Sequence, residues 1–193
     1  MERLAIPSGV RLGARFLGLA EINELLAQGT CHMQPGRIMV AEHHGSNVIK
    51  LVGDVRLTLC NVLDDYFEEM FSSSDFSSVI VDLTEADNVD STTLGLLAKL
   101  ALMAKNRFQF VPVILSTNPD ITRVLQSMGF DRVFKIRQHP LHTDQDLGEL
   151  PQIEGSEGVV KEKVLEAHRV LMGLNESNKA RFRELVSMLE KKY

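Results

Sequence analysis

The chain has 193 residues, 44% of them apolar, and a formal net charge of -5. That length suits one domain with extensions, and that apolar share supports a core, which excludes wholesale disorder. The negative charge argues against a general nucleic-acid binder, because phosphate contacts need a clustered basic surface.

Residues 1–37 read as an N-terminal extension. Phe16, Leu19, Ile22, Leu25 and Leu26 fall at helical spacing and predict a short amphipathic helix near 16–28, stopped by Gly29. Pro35-Gly36 marks a break before the domain pattern begins. The extension is either a non-native or loosely attached arm or a partner-binding helix. It is not a signal peptide, since residues 17–20 are broken at once by Glu21. No apolar run reaches the roughly 20 residues that span a bilayer. Cys31 and Cys60 are too far apart in sequence to suggest a disulfide framework or a metal spacing, which fits a reducing cytoplasm.

From residue 38 the pattern is regular. Ile38, Met39 and Val40 begin a first strand. Residues 43–47 supply turn chemistry, and residues 48–52 follow as a second strand, so an antiparallel hairpin is expected. Gly53-Asp54 is expected to end it. Leu59, Leu63, Phe67 and Met70 then share one face of a helix over about 58–71. Val79, Ile80 and Val81 form a third strand, too apolar for a wet face, hence central and parallel. An acidic loop follows, carrying Asp82, Glu85, Asp87 and Asp90. Three hydroxyls come next, Ser91, Thr92 and Thr93. They open a buried helix marked by Leu94, Leu97, Ala98, Ala101, Leu102 and Ala104 and ending near Asn106.

Residues 110–115 predict a fourth strand, in which Pro112 needs a position where no backbone N–H is used. Asn118 caps a further helix with Pro119 at its first position, and Gly129 ends it. Residues 133–136 predict a fifth strand. Strands alternating with helices over 38–137 imply an α/β layer fold with right-handed crossovers. Residues 138–157 read as a linker. Val160, Val164, Ala167, Leu171 and Leu174, then Phe182, Leu185, Val186 and Leu189, predict a helical hairpin tail over 158–193. Its apolar stripe either packs on the α/β domain or serves self-association or a partner.

Much chemistry is missing. There is no phosphate-binding glycine loop and no dinucleotide fingerprint, so no cofactor is expected. Val89 stands where a nucleophile elbow would have glycine. His43 with His44, and His139 with His142, read as turn and linker residues rather than metal ligands. The acidic residues lack calcium-loop spacing, so no metal is expected. A small hydrolase using Ser91 and the acidic loop is a further alternative; it would need a base, and no histidine or lysine lies near Ser91 on the loop side, although a distant one could fold in. Read alone, Ser91 is a helix cap, a role Asp90 fills equally well. Thr92 and Thr93 read as local hydrogen bonders.

The strand, the acidic stretch and the segment Asp90-Ser91-Thr92-Thr93-Leu94-Gly95 resemble the STAS domain of anti-sigma factor antagonists. Gly53-Asp54 and Val81-Asp82-Leu83 match as well. The resemblance covers residues 38–137 and implies a SpoIIAA-like mixed sheet with helices. Thr93 departs from the usual glycine, and Arg56 stands where many members have aspartate. The helical tail resembles the HptB-dependent secretion and biofilm antagonist type. By resemblance, Ser91 matches the serine phosphorylated by a cognate serine kinase and dephosphorylated by a PPM-type phosphatase, with Thr92 as the alternative. The resemblance implies a cytoplasmic, non-enzymatic regulator of transcription that binds an anti-sigma factor when unphosphorylated. Asp90, Thr92, Thr93, Leu94, Gly95, Asp54 and Asp82 would then form the partner face. The alternative is a structural STAS subunit of a lipid-transport or stressosome-like complex, without a phosphoswitch.

Overall fold

The computed structural model describes residues 34–56, 60–140, 147–151 and 156–191. The helix expected near 16–28 and His142 lie outside the described residues. Residues 33–193 form one compact unit.

Strands β1 (Arg37–His43) and β2 (Ser46–Val55) form the expected antiparallel hairpin, in register from Arg37 opposite Val52 to His43 opposite Ser46. The two turn residues, His44 and Gly45, have φ of 49° and 78°. Two successive positive φ values match the twist of the flanking strands, as in a type I′ turn. Gly45 is required for a second reason: a Cβ there would lie 1.7 Å from the Asp75 carbonyl oxygen.

Gly53 does not end β2, contrary to expectation. It has φ of 72°, and the register against β3 shifts between Gly53 and Asp54. That irregularity lets the strand bend and continue to Val55 instead of stopping. Helix α1 (Cys60–Ser72) follows and buries Leu63, Phe67 and Met70, as its spacing implies.

The largest correction concerns the acidic stretch. Strand β3 runs from Ser78 to Val89, so Asp82, Glu85 and Asp87 lie on a strand and not in a loop. Parallel pairing with β2 holds from Ser46–Ser78 through Val55–Val89, with two register shifts. Leu83 and Ala86 point into the core, while Glu85 and Asp87 are exposed. The carboxylates mask a strand whose inward residues are apolar.

Helix α2 (Ser91–Phe108) follows, two residues longer than expected. It closes with Gln109 at φ 54°, whose N–H donates to the Lys105 carbonyl. Strand β4 is only Val113–Leu115. Pro112 falls just before it, where its missing N–H costs nothing, and its carbonyl accepts from the Lys135 N–H at 2.9 Å. Helix α3 (Pro119–Ser127) has the expected cap, the Asn118 side chain accepting from the Asp120 N–H, and Gly129 turns the chain at φ 83°. A 3-10 turn (Phe130–Arg132) takes up the following residues, so strand β5 is Lys135–Arg137 rather than 133–136. Within the expected linker, Gly148–Glu149 forms a short strand β6 against β1.

The six strands lie in the order β5-β4-β3-β2-β1-β6. Pairs β2/β3, β3/β4 and β4/β5 are parallel, and the two pairs made by β1 are antiparallel. With right-handed crossovers, this monotonic run sets α1, α2 and α3 on one face of the sheet. Fully buried Ile49, Leu51, Leu83, Leu96, Leu97, Leu100 and Ile114 fill the space between strands and helices. Each such side chain stabilises the fold by about 1.5–3 kcal/mol relative to exposure.

Helices α4 (Glu157–Leu174) and α5 (Glu176–Glu190) form the expected hairpin around Asn175, whose side chain accepts from the Asn178 N–H at 2.8 Å. The hairpin packs on the α/β domain, chiefly α4 on α2, and Leu171 and Phe182 join the main core. Among the described residues no helix is long and apolar enough to cross a membrane.

Candidate functional site at the start of helix α2

Asp90 sits between the last strand residue, Val89, and the first helical residue, Ser91. Its backbone is extended, and its Oδ1 accepts from the Thr93 N–H at 2.7 Å. Asp90 is therefore the N-cap, an arrangement worth about 1 kcal/mol. Ser91 is thereby released from capping. Its Oγ lies 2.9 Å from Nε2 of His168, 77 residues away on α4.

His168 is only 2% exposed, and its Nδ1 lies 2.7 Å from the Val164 carbonyl. A carbonyl can only accept, so Nδ1 carries a proton. In the neutral ring Nε2 is then the acceptor and the Ser91 hydroxyl donates to it. The ring packs edge-on against Phe182 at 5.0 Å between centroids. A serine donating to a histidine has nucleophile–base geometry. Here the second ring nitrogen faces a backbone carbonyl rather than a carboxylate. Neither of the two described cavities is lined by Ser91 or His168.

One turn further along α2, Gly95 meets the backbone of α4. A Cβ at this position would lie 2.4 Å from the Ala167 carbonyl oxygen and 2.6 Å from the Ala167 Cβ. Another turn on, Lys99 Nζ bridges Asp64 at 2.7 Å and Glu166 at 2.9 Å. Lys163 of α4 reaches the same Asp64 at 3.4 Å. Burial pulls the Lys99 ammonium down, but hydrogen bonds and charges from Asp64 and Glu166 outweigh it and hold Lys99 above its ordinary range. Ser91, Gly95 and Lys99 thus form one stripe at i, i+4 and i+8, and α4 covers all three.

The family model described as "Mlab, STAS domain" matches residues 38–138. The chain belongs to the STAS-domain family. Its STAS domain accounts for just over half of the residues, and the α4–α5 hairpin lies beyond it. No curated protein matches the chain in sequence. A crystal structure of an anti-sigma factor antagonist from Mycobacterium paratuberculosis shares 19% identity with it. That match covers 53% of this chain and 85% of the other, with a TM-score of 0.46.

At the start of α2 the expected site residues separate into two groups, with Asp54 and Asp82 standing apart from both. Asp90, Ser91 and Gly95 come together at the helix start beside α4. Thr92, Thr93 and Leu94 are buried, and they shape the first turn from inside. Thr93, where the resemblance expects glycine, donates its N–H to Asp90 and has a fully enclosed side chain. Arg56 pairs with Asp54 at 2.5 Å, and Asn88 donates to the same carboxylate at 3.1 Å.

Asp82 is 3% exposed, and its Oδ1 accepts from the Thr84 N–H at 2.8 Å. It precedes Val89 by seven strand steps, about 23 Å at roughly 3.3 Å each. Glu85 is about 13 Å from Val89 by the same measure and is paired with Lys50. Both exceed the Debye length of about 8–10 Å. The charge beside Ser91 therefore comes from Asp90 and Asp87, not from four carboxylates. On the flank of α2 away from α4, a cavity is lined by Asp87, Asn88, Leu94, Asn118, Ile121 and Val124, among others.

His168 is the site residue that sequence reasoning did not name, although it left open a distant base folding in beside Ser91. A signal was available: it lies four residues after Val164 and three before Leu171, on the apolar face of α4. A histidine on a buried stripe needs a polar partner, and the hydroxyl cluster of α2 is one.

Proposed function

We propose that the chain is an anti-sigma factor antagonist, a binding protein rather than an enzyme, switched off by phosphorylation of Ser91. The observation that carries this reading is the division of labour at the start of α2. Asp90 caps the helix, so the Ser91 hydroxyl is not spent on capping, and its hydrogen bond goes instead to His168. A kinase would form the bond from Ser91 Oγ to the γ-phosphorus of ATP, release ADP and take up the hydroxyl proton. The helix N-terminus tolerates the product through its free N–H groups and dipole.

The phosphate adds a charge of about -1.5 to -2 next to Asp90 and Asp87. A partner surface that accepts a neutral hydroxyl there meets like-charge repulsion and a desolvation cost. A penalty of a few kcal/mol changes affinity by orders of magnitude. A PPM-type phosphatase would reverse the step. Kinase, ATP and anti-sigma factor together imply a cytoplasmic location. Incubation with the cognate kinase and ATP, followed by mapping of phosphate by mass spectrometry, tests the assignment. Label is expected on Ser91 and absent from Ser91→Ala; undiminished label in that variant would sink it.

A second reading, a structural STAS subunit without a phosphoswitch, is favoured by the engagement of Ser91 with His168 inside the chain. Lack of any Ser91 label with the cognate kinase would support it.

A further inference from the structure

At the end of the sheet opposite Ser91, a cavity of about 210 Å³ opens between the β1–β2 turn and helix α1. Asn47, on its wall, pairs with Val79, ten strand steps or about 33 Å before Val89, so the cavity is separate from the site at Ser91. Glu42, Tyr66, Glu69, Met70 and Phe76 line it as well. We propose that this cavity binds a guanidinium group, carried either by a small molecule or by an arginine side chain. The proposal does not depend on the reading of Ser91.

Three features of the wall specify that chemistry. The first is uncompensated negative charge. Among the described residues, no lysine, arginine or histidine forms an ion pair with Glu42 or Glu69. Glu42 Oε1 accepts from the Gly45 N–H at 2.7 Å, which holds this carboxylate at the turn and leaves Oε2 for a ligand. Burial, then Glu69, then Glu42, push the Tyr66 hydroxyl above its ordinary range. Carboxylates from two elements, β1 and α1, thus act on one point of the wall. The second feature is a buried acceptor. Asn47 is 5% exposed, and its Nδ2 donates to the Gly45 carbonyl at 3.1 Å, which fixes the amide. Its Oδ1 meets the Tyr66 hydroxyl only at 3.4 Å, longer than an ordinary O–H···O bond. A buried amide oxygen held this loosely has capacity for a closer donor. The third feature is aromatic. The Phe76 ring is held by Phe71 and Phe108, with centroids 4.9 and 4.6 Å away, and with Tyr66 it offers ring surface to a cation. A guanidinium matches all three features: planar donors for carboxylate and amide oxygens, a flat face for the rings, and weak hydration. The volume is below the roughly 300–1,000 Å³ of sites for drug-sized ligands and suits a single head group. A bare metal ion is disfavoured, since no cluster of three metal-ligating residues forms among the described residues.

Backbone amide shifts of the full chain, followed by NMR during titration, test the site. The probes are propylguanidine, a free guanidinium compound, and N-acetylarginine methylamide, which stands for an arginine within a protein. Butylamine is the ammonium control. At least one guanidinium probe is expected to shift Gly45, Asn47 and Ser73, with a Kd of about 5 mM for so small a ligand. Butylamine should bind at least about fivefold more weakly, because it lacks the planar donors. Binding of propylguanidine alone marks a site for a free ligand, and binding of N-acetylarginine methylamide alone a site for a protein segment; either supports the proposal. Glu69→Gln changes an exposed side chain and should weaken binding at least about tenfold, the worth of one charge-assisted hydrogen bond. No shift from either guanidinium probe at about 20 mM would overturn the proposal. So would shifts confined to other parts of the chain, equal binding of butylamine, or unchanged binding in Glu69→Gln.

Discussion

Replacing Gly95 by alanine sets two known effects against each other. Glycine inside a helix costs about 1 kcal/mol relative to alanine, so Gly95→Ala on an uncovered helix would stabilise the chain. In the structure the added Cβ would stand 2.4 Å from the Ala167 carbonyl oxygen and 2.6 Å from the Ala167 Cβ. The first of these is backbone and cannot rotate away, so α4 has to shift as a whole. Overpacking of this kind costs about 1–3 kcal/mol. The backbone obstacle puts this site in the upper part of that range, which leaves a net loss of about 1–2 kcal/mol. For a chain of this size that lowers the thermal midpoint by roughly 2–8 °C. Thermal unfolding followed by far-UV circular dichroism reads the sign directly. Ala167→Gly in the same chain removes the Cβ contact but leaves the carbonyl, and glycine inside α4 itself costs about 1 kcal/mol, so little of the loss should be restored. A rise in midpoint for Gly95→Ala would refute the close packing of α4 on α2.

Asn178 is buried, and its Nδ2 donates to the carbonyls of both Met128 and Leu171 at 2.9 Å. Asn178→Ala strands two buried acceptors and should cost about 1–3 kcal/mol, seen as a lower urea midpoint at unchanged slope. The Lys99 bridge predicts a pH dependence. Its folded pKa is raised, so its contribution is complete below the unfolded value of about 10.4 and is lost as pH rises through the folded value above that. The stability difference between Lys99→Met and the unaltered chain should therefore be flat through neutral pH and shrink only in strongly alkaline buffer.

Much of the fold follows from local rules that leave marks in sequence. The β1–β2 turn, the Asn118 cap with Pro119, the stop at Gly129 and both hairpin helices depend on neighbours in the chain, and each lies close to where spacing puts it. The strand character of residues 82–89 does not. It comes from parallel pairing with β2 across two register shifts, a tertiary effect, and the exposed Glu85 and Asp87 mimic a loop. Likewise, the Asp90 cap was one of two local possibilities. The partner of Ser91 lies 77 residues away and depends on how the hairpin folds back. The distance along β3 also reassigns the charges: Asp82 and Glu85 read as neighbours of Ser91 only while the stretch is taken for a compact loop.

The central claim is that charge at Ser91 controls partner binding. Calorimetric titration of the anti-sigma factor into Ser91→Ala and Ser91→Asp tests it most directly. The account predicts that Ser91→Ala binds as the unphosphorylated chain does and that Ser91→Asp binds at least about tenfold more weakly, a difference of 1.4 kcal/mol or more. Equal affinities for the two variants would contradict it.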